Sequence, residues 1–235
     1  MAQGGTLGQR ITDLIGSDYS TEAAYAGDLI NAAINEIADM LSEDLLLKYS
    51  PTPTSVTSSS GVNIEGKKVL KVTRVDADSG GIERECSPLD RVSFASARDA
   101  NSIYKATEYS PVYRLDSYNA ATTVVIYPDC NNSGQEGNIW YFEYVTSSSP
   151  DGDITDLTES TLNTAVYLPN NLMHAIALKS SINILKAFIS NQVQDEEDIE
   201  LMQMIQSQMG VLEQDFQNEI QRYVPGRETT ETGGE

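Results

Sequence analysis

The chain contains one histidine, His174, so any histidine-dependent acid, base or nucleophile-activating scheme must pass through it. It falls in the first turn of an expected helix with no serine or cysteine nucleophile motif beside it, which makes it a packing or surface residue. The G-x-S-x-G elbow, the phosphate-binding Walker A loop and the G-x-G-x-x-G dinucleotide fingerprint do not occur. Cys86 and Cys130 are the only cysteines and lack C-x-x-C spacing, so zinc has no support and two reduced thiols are expected. Acid–base pairs are conceivable among 35 Asp and Glu, but at that density chance pairs occur everywhere and none stands out. The run Asp151-Gly152-Asp153 begins like a calcium loop. It fails at Asp156, where glycine is needed, and at Leu162, where glutamate is needed. Lys67, Lys68, Lys71 and Arg74 could form a small phosphate-contacting patch, although Glu65, Asp76 and Asp78 surround it. Trp140, Phe142 and Tyr144 give one face of a strand an all-aromatic character, which could stack on bases or sugars and which core packing explains better. No catalytic, cofactor-binding or metal-ligating residue is expected, and the chain reads as a non-enzyme.

The most informative number is the charge. Against 35 acidic residues stand 15 basic ones, a formal net of −20. Such a balance favours solubility and opposes adhesion to DNA or anionic lipid, which argues against sequence-specific nucleic-acid binding. It suits a surface that touches DNA transiently without holding it. Met1 to Arg10 lack an apolar targeting core, and no run reads as about 18 consecutive apolar residues, so folding in the cytoplasm without a membrane is expected.

The elements that must position these residues follow from periodicity. Residues 1–50 read as N-terminal helices: a short one from Thr6 to Ile15, then one from Ser20 to Leu47 with Ile30, Ile34, Ile37, Leu41 and Leu45 on its apolar face. Ser20 would cap it and Glu22 would complement its dipole. Residues 51–61 form a Pro/Ser/Thr-rich loop. Residues 62–146 are a β-rich insertion with strands at Val69–Val75, Thr122–Tyr127 and Asn138–Val145, turns at 78–81 and 131–134, and a capped helical turn at Ser87-Pro88-Leu89-Asp90 with the proline at the first helical position. Residues 147–168 are a loop. Residues 169–224 are C-terminal helices, the first with Ala175, Leu178, Ile182, Leu185 and Ile189 in its stripe. The second is opened by Asp195, Glu196, Glu197 and Asp198 and carries Ile205, Leu212, Phe216 and Ile220 near heptad spacing. Residues 225–235 form a flexible polar tail. The expected fold is α+β, a helical bundle formed by N- and C-terminal helices with a large antiparallel β-rich insertion.

In order and pattern these parts resemble the head-to-tail connector proteins of tailed bacteriophages, the adaptor, neck or head-completion proteins. The resemblance rests on Ile11-Thr12-Asp13-Leu14-Ile15 with the helix after it, and on the block Asp99-Ala100-Asn101-Ser102-Ile103-Tyr104-Lys105-Ala106-Thr107. It continues through Pro111-Val112-Tyr113, Val125-Ile126-Tyr127-Pro128, Trp140 to Tyr144, and Leu168-Pro169-Asn170-Asn171 leading to the final helix. The resemblance implies a structural virion protein forming a dodecameric ring between portal and tail and lining the DNA channel, assembled in the host cytoplasm. The implied partners are the portal protein, a tail or second neck protein, other copies of the chain, and DNA in transient contact. It also implies that the C-terminal segment grips the portal, with Tyr223, Val224, Pro225 and Arg227 at that contact. Other readings are a tail-tube or tail-completion protein, or a host receptor-binding module carried by the β-rich middle. An enzyme relying on carboxylates alone comes last.

Overall fold

Local capping signals set where the helices begin. In this computed structural model the described residues are 5–16, 23–76, 80–118, 121–130, 134–146, 154–192 and 199–224. The expected cap at Ser20 and Glu22, the turn residues 78–79 and 131–133, and the loop residues 147–153 lie outside them, as do Asp195 to Asp198, Pro225, Arg227 and the rest of the tail. Two compact units form, residues 1–45 with 145–235, and residues 46–144.

In the first unit, α1 (Leu7–Ile15) starts where Thr6 Oγ1 accepts the Gln9 amide at 3.3 Å. It stops at Gly16, whose φ of 84° is easy only for glycine. The long helix expected to run to Leu47 is two helices, α2 (Ala23–Met40) and α3 (Glu43–Tyr49). Between them Ser42 Oγ accepts the Leu45 amide at 3.3 Å, so a polar side chain competes with the helix backbone and restarts it. A single turn, α5 (Leu162–Ala165), precedes α6 (Met173–Gln192) and α7 (Ile199–Ile220).

A bundle made jointly by the N- and C-terminal helices is not what forms, and the reason lies in α6. Ala175, Ile176, Ala177 and Leu178 are four successive buried residues, and Ser180, Ser181, Ile182, Ile184 and Leu185 are buried too. At about 100° per residue, four successive positions cover most of the helix circumference. α6 is therefore a central helix on which α1, α2 and α7 each pack, rather than one amphipathic member with a single apolar stripe. By length and a mean hydropathy of 1.3, Asn170–Ser190 could cross a bilayer, contrary to the expectation that no such run exists; 61% of it is buried inside the protein. Polar ties lock the hub: Lys179 Nζ meets Glu36 at 2.6 Å, and Gln208 Nε2 donates to the Leu14 carbonyl at 2.7 Å.

The second unit is two sheets rather than a single antiparallel insertion. Strands β1 (Thr54–Val56), β3 (Lys67–Asp76), β4 (Ile82–Glu85) and β8 (Gln135–Glu143) make an antiparallel sheet in the order β1-β8-β3-β4. Strands β2 (Val62–Asn63), β5 (Ser87–Pro88), β6 (Val112–Tyr118) and β7 (Ala121–Tyr127) make the other, in the order β2-β7-β6-β5, with β5 and β6 parallel. Residues 54–56, expected in a loop, are thus a strand, because Val56 is fully buried opposite Gly137. Ser87 and Pro88 are likewise an edge strand, where proline's missing amide is tolerated. The helix after them, α4 (Arg91–Arg98), begins only at Arg91, capped by Asp90 rather than by Ser87. Val56, Val72, Ile139, Val124 and Ile126 fill a core shared by the two sheets, and the buried free thiols Cys86 and Cys130 belong to it. α4 covers the other face of β6 and β7 through Phe94, Ala97, Val112 and Val125.

Candidate interaction surface

The most exposed large apolar side chain among the described residues, Ile103, sits on the loop that leaves α4. Asp90 caps α4 twice, its Oδ1 accepting the amides of Val92 at 2.8 Å and Ser93 at 3.0 Å. A hydrogen bond from Ser93 Oγ, with those from the two amides, holds the Asp90 carboxyl below the ordinary carboxylate value. The helix ends at Asp99, and the loop then closes on itself. Asp99 Oδ1 accepts the Asn101 amide at 2.9 Å, Ser102 Oγ accepts the Tyr104 amide at 3.1 Å, and the Ala106 amide returns to the Ala97 carbonyl at 2.9 Å. Buried Ala97 and Ala106 form the hinge between helix and loop.

On this braced loop Ile103 is 90% exposed and Tyr104 75%. Tyr109, also exposed, receives the Arg84 guanidinium 4.9 Å from its ring centre. Arg84 in turn stands 4.0 Å from the buried carboxylate of Asp76. The loop is therefore held at its helix end by backbone bonds and at its far end by a cation on a ring. An ordered loop that turns isoleucine and tyrosine outward is suited to contact with another macromolecule.

Two concave places accompany it, one in each unit. Met40, Ile182 and Phe216 floor a groove of about 420 Å³ among α2, α6 and α7, with Gln214, Gln217, the ion pair Lys186–Glu213 (2.9 Å) and Lys179, 5.8 Å over the Phe216 ring, around it. On the outer face of the antiparallel sheet, Trp140, Lys71, Thr73, Glu83 and Glu85 line a shallow groove of about 320 Å³. Its carboxylates are already engaged, Glu83 by Thr73 Oγ1 and Glu85 by Lys71 at 3.5 Å.

The residues singled out from the sequence are dispersed. His174 is exposed in the first turn of α6. The basic run on β3 does not form a patch, because the bulge between Val69 and Lys71, with strand alternation after it, separates its members: Lys71 faces the outer groove, Lys67 covers the Tyr141 ring at 4.0 Å, and Arg74 is buried with Nε donating to the Pro128 carbonyl at 3.0 Å. The aromatic face is covered in part, with Phe142 buried edge-on against Tyr144 and Trp140 half-buried. Among the described residues no group of three or more His, Cys, Asp or Glu converges to hold a metal. Of the C-terminal contact residues, Tyr223 is half-buried and its hydroxyl donates to the Asn171 carbonyl at 3.3 Å, with burial raising its pKa. Val224 follows half-buried, its amide bonded to the Ile220 carbonyl at 3.1 Å. The display of Ile103 and Tyr104 carries no periodic signal in the sequence; the cluster of Asp99, Asn101 and Ser102 just before them marks a turn and is the only local hint.

Comparison with known proteins finds no family model and no curated protein that matches this chain.

Proposed function

We propose that this chain is a structural subunit of a tailed-phage neck, forming a dodecameric ring between portal and tail that lines the DNA channel. The observation that carries this reading is the braced loop with Ile103 and Tyr104 turned outward, a contact element on a chain whose net charge of −20 opposes casual association. The resemblance of the chain's order and pattern to head-to-tail connectors supplies the biological setting. An acidic channel wall repels the DNA backbone, so DNA slides without adhering. In this reading the portal, a tail or second neck protein and other copies of the chain are the partners, DNA contact is transient, and the role is structural rather than catalytic. The end of α7 is fixed by the Tyr223 hydroxyl on the Asn171 carbonyl, and Tyr223, Val224, Pro225 and Arg227 are the proposed portal contact.

The test is the mass of the purified protein alone and mixed with portal rings, by light scattering with negative-stain imaging. Rings, or portals decorated in rings, that are lost when residues after Arg222 are deleted support the assignment. A monomer that ignores portals overturns it. The Trp140 groove favours a second reading, a host receptor-binding module, because an indole beside Lys71, Thr73 and Glu85 suits a hydroxyl-rich glycan. Glycan binding by a chain that ignores portals, abolished by Trp140→Ala, would establish that reading instead.

A further inference from the structure

We infer that the two-sheet unit binds a small monovalent anion, chloride or a carboxylate of acetate size, between the guanidinium groups of Arg74 and Arg84. This goes beyond the ring reading and does not depend on it. Register places the two cations. Arg74 on β3 and Arg84 on β4 are direct cross-strand partners, so their side chains leave the sheet on one face with Cβ atoms about 5 Å apart. That face is the inner one: Val72, Arg74 and Asp76 alternate along β3, each no more than 1% exposed, and Val72 belongs to the core shared by the two sheets. Like charges directly opposite one another are destabilising on any sheet. Here one of them is buried, where a charge without compensation costs far more.

The surrounding residues compensate only half of this charge. Arg74 Nε donates to the Pro128 carbonyl, a neutral acceptor. Among the described residues the one carboxylate within 4.0 Å of either guanidinium is Asp76, whose Oδ2 stands at that distance from Arg84 Nη1, beyond hydrogen-bond reach. Glu83 and Glu85 belong to the outer face, where they meet Thr73 and Lys71. Cys130 lies beside Arg74, but burial raises its pKa and keeps it a neutral thiol. Both Nη1 atoms are buried, and neither has a hydrogen-bond partner among the described residues. Two cations against one carboxylate leave one positive charge and two N–H ends to satisfy. A ligand with one negative charge and acceptor capacity for two donors meets both needs, whereas a dianion would set excess negative charge beside Asp76. The effect reaches the surface, because the same Arg84 guanidinium lies over the Tyr109 ring at the far end of the loop that displays Ile103. An anion that fixes Arg84 therefore fixes that loop.

The experiment uses the full chain in sodium gluconate, an anion too bulky for the site, replaced stepwise at constant ionic strength by sodium chloride or sodium acetate. The thermal midpoint should rise saturably, the folded-to-unfolded ratio growing about 100-fold at about 100 times the dissociation constant, and exchange of the Ser110 amide should slow over the same range. Arg84→Gln, with an unchanged circular dichroism spectrum, should lose both responses, whereas Tyr109→Ala should keep the first and lose the second. The salt that acts at the lower concentration identifies the ligand, and crystals grown with it, bromide standing in for chloride, should show it between Arg74 and Arg84. A midpoint that does not move, or that moves equally in Arg84→Gln, overturns the inference and leaves ordered water as the acceptor. Density at the site without saturable stabilisation means an adventitious ion only and overturns it as well. None of these readouts requires a ring, so failure here leaves the neck reading standing.

Discussion

The Arg84 guanidinium lies 4.9 Å from the centre of the Tyr109 ring, joining the edge strand β4 to the far end of the loop that displays Ile103. Sequence neighbours do not explain this pairing. It exists because β4 pairs with β3 at Asp76, and the buried Asp76 carboxylate holds Arg84 in place.

Removing the ring should loosen the loop more than the protein. Tyr109→Ala is expected to cost about 0.5–1 kcal/mol, the value of an exposed cation–ring contact. The Ala106 and Ser110 amides should exchange with solvent faster while the sheet amides do not. Hydrogen exchange read residue by residue checks this, and equal acceleration throughout the sheet would contradict it.

Arg74 is 1% exposed, and its Nε satisfies the Pro128 carbonyl. Arg74→Ala leaves a cavity and an unpaired carbonyl, so a loss of about 2–5 kcal/mol is expected. Urea unfolding should show a lower midpoint with an unchanged slope. A loss below about 1 kcal/mol would show that water reaches the site.

Burial, aided by the neighbouring Cys130, pushes the Cys86 thiol from its ordinary 9.0 up to about 12. The folded state therefore holds its proton more tightly than the unfolded state between these values. Stability should fall as pH rises from 9 toward 12, by up to about 1.4 kcal/mol per pH unit. The slope should be shallower in Cys86→Ala, and both thiols should resist alkylation at neutral pH until urea unfolds the chain. Rapid labelling of the folded protein would refute this.

For Asp90 the sign is reversed. Its carboxyl is held below the ordinary 3.8 by the Ser93 hydroxyl and the amides it caps, so its contribution is complete above that value and is lost as pH falls through the folded value. The start of α4 should fray in acid before the sheets do, and Asp90→Asn, which keeps the accepting oxygen, should retain the helix at neutral pH. Amide exchange at Val92 and Ser93 measures it.

Gly61 has φ +78°, and a Cβ there would stand 2.2 Å from the Val124 carbonyl oxygen. Gly61→Ala should destabilise by more than about 1 kcal/mol, since both the backbone conformation and the approach to β7 exclude it. By contrast, a Cβ on Gly27 meets nothing within 4 Å, and Gly27→Ala inside α2 should stabilise by about 0.5–1 kcal/mol. Thermal unfolding of the pair tests both signs.

By itself, the sequence determined what depends on near neighbours. Thr6 and Gly16 bound α1, the three- and four-residue spacing of Ile30, Ile34 and Ile37 placed α2, and the alternation in Asn138–Val145 placed β8. Caps and periodicity act within a few residues, so a linear reading detects them. Tertiary structure alone decided which strands pair and what remains uncovered. Val56 becomes a strand residue only because Gly137 lies opposite it, about eighty residues on. The four successive buried residues of α6 make it a hub only once α1, α2 and α7 have packed around it. Ile103 and Tyr104 look like core residues by type. They face outward because their loop closes its own hydrogen bonds and no element among the described residues covers them, and burial depends on neighbours brought from far along the chain.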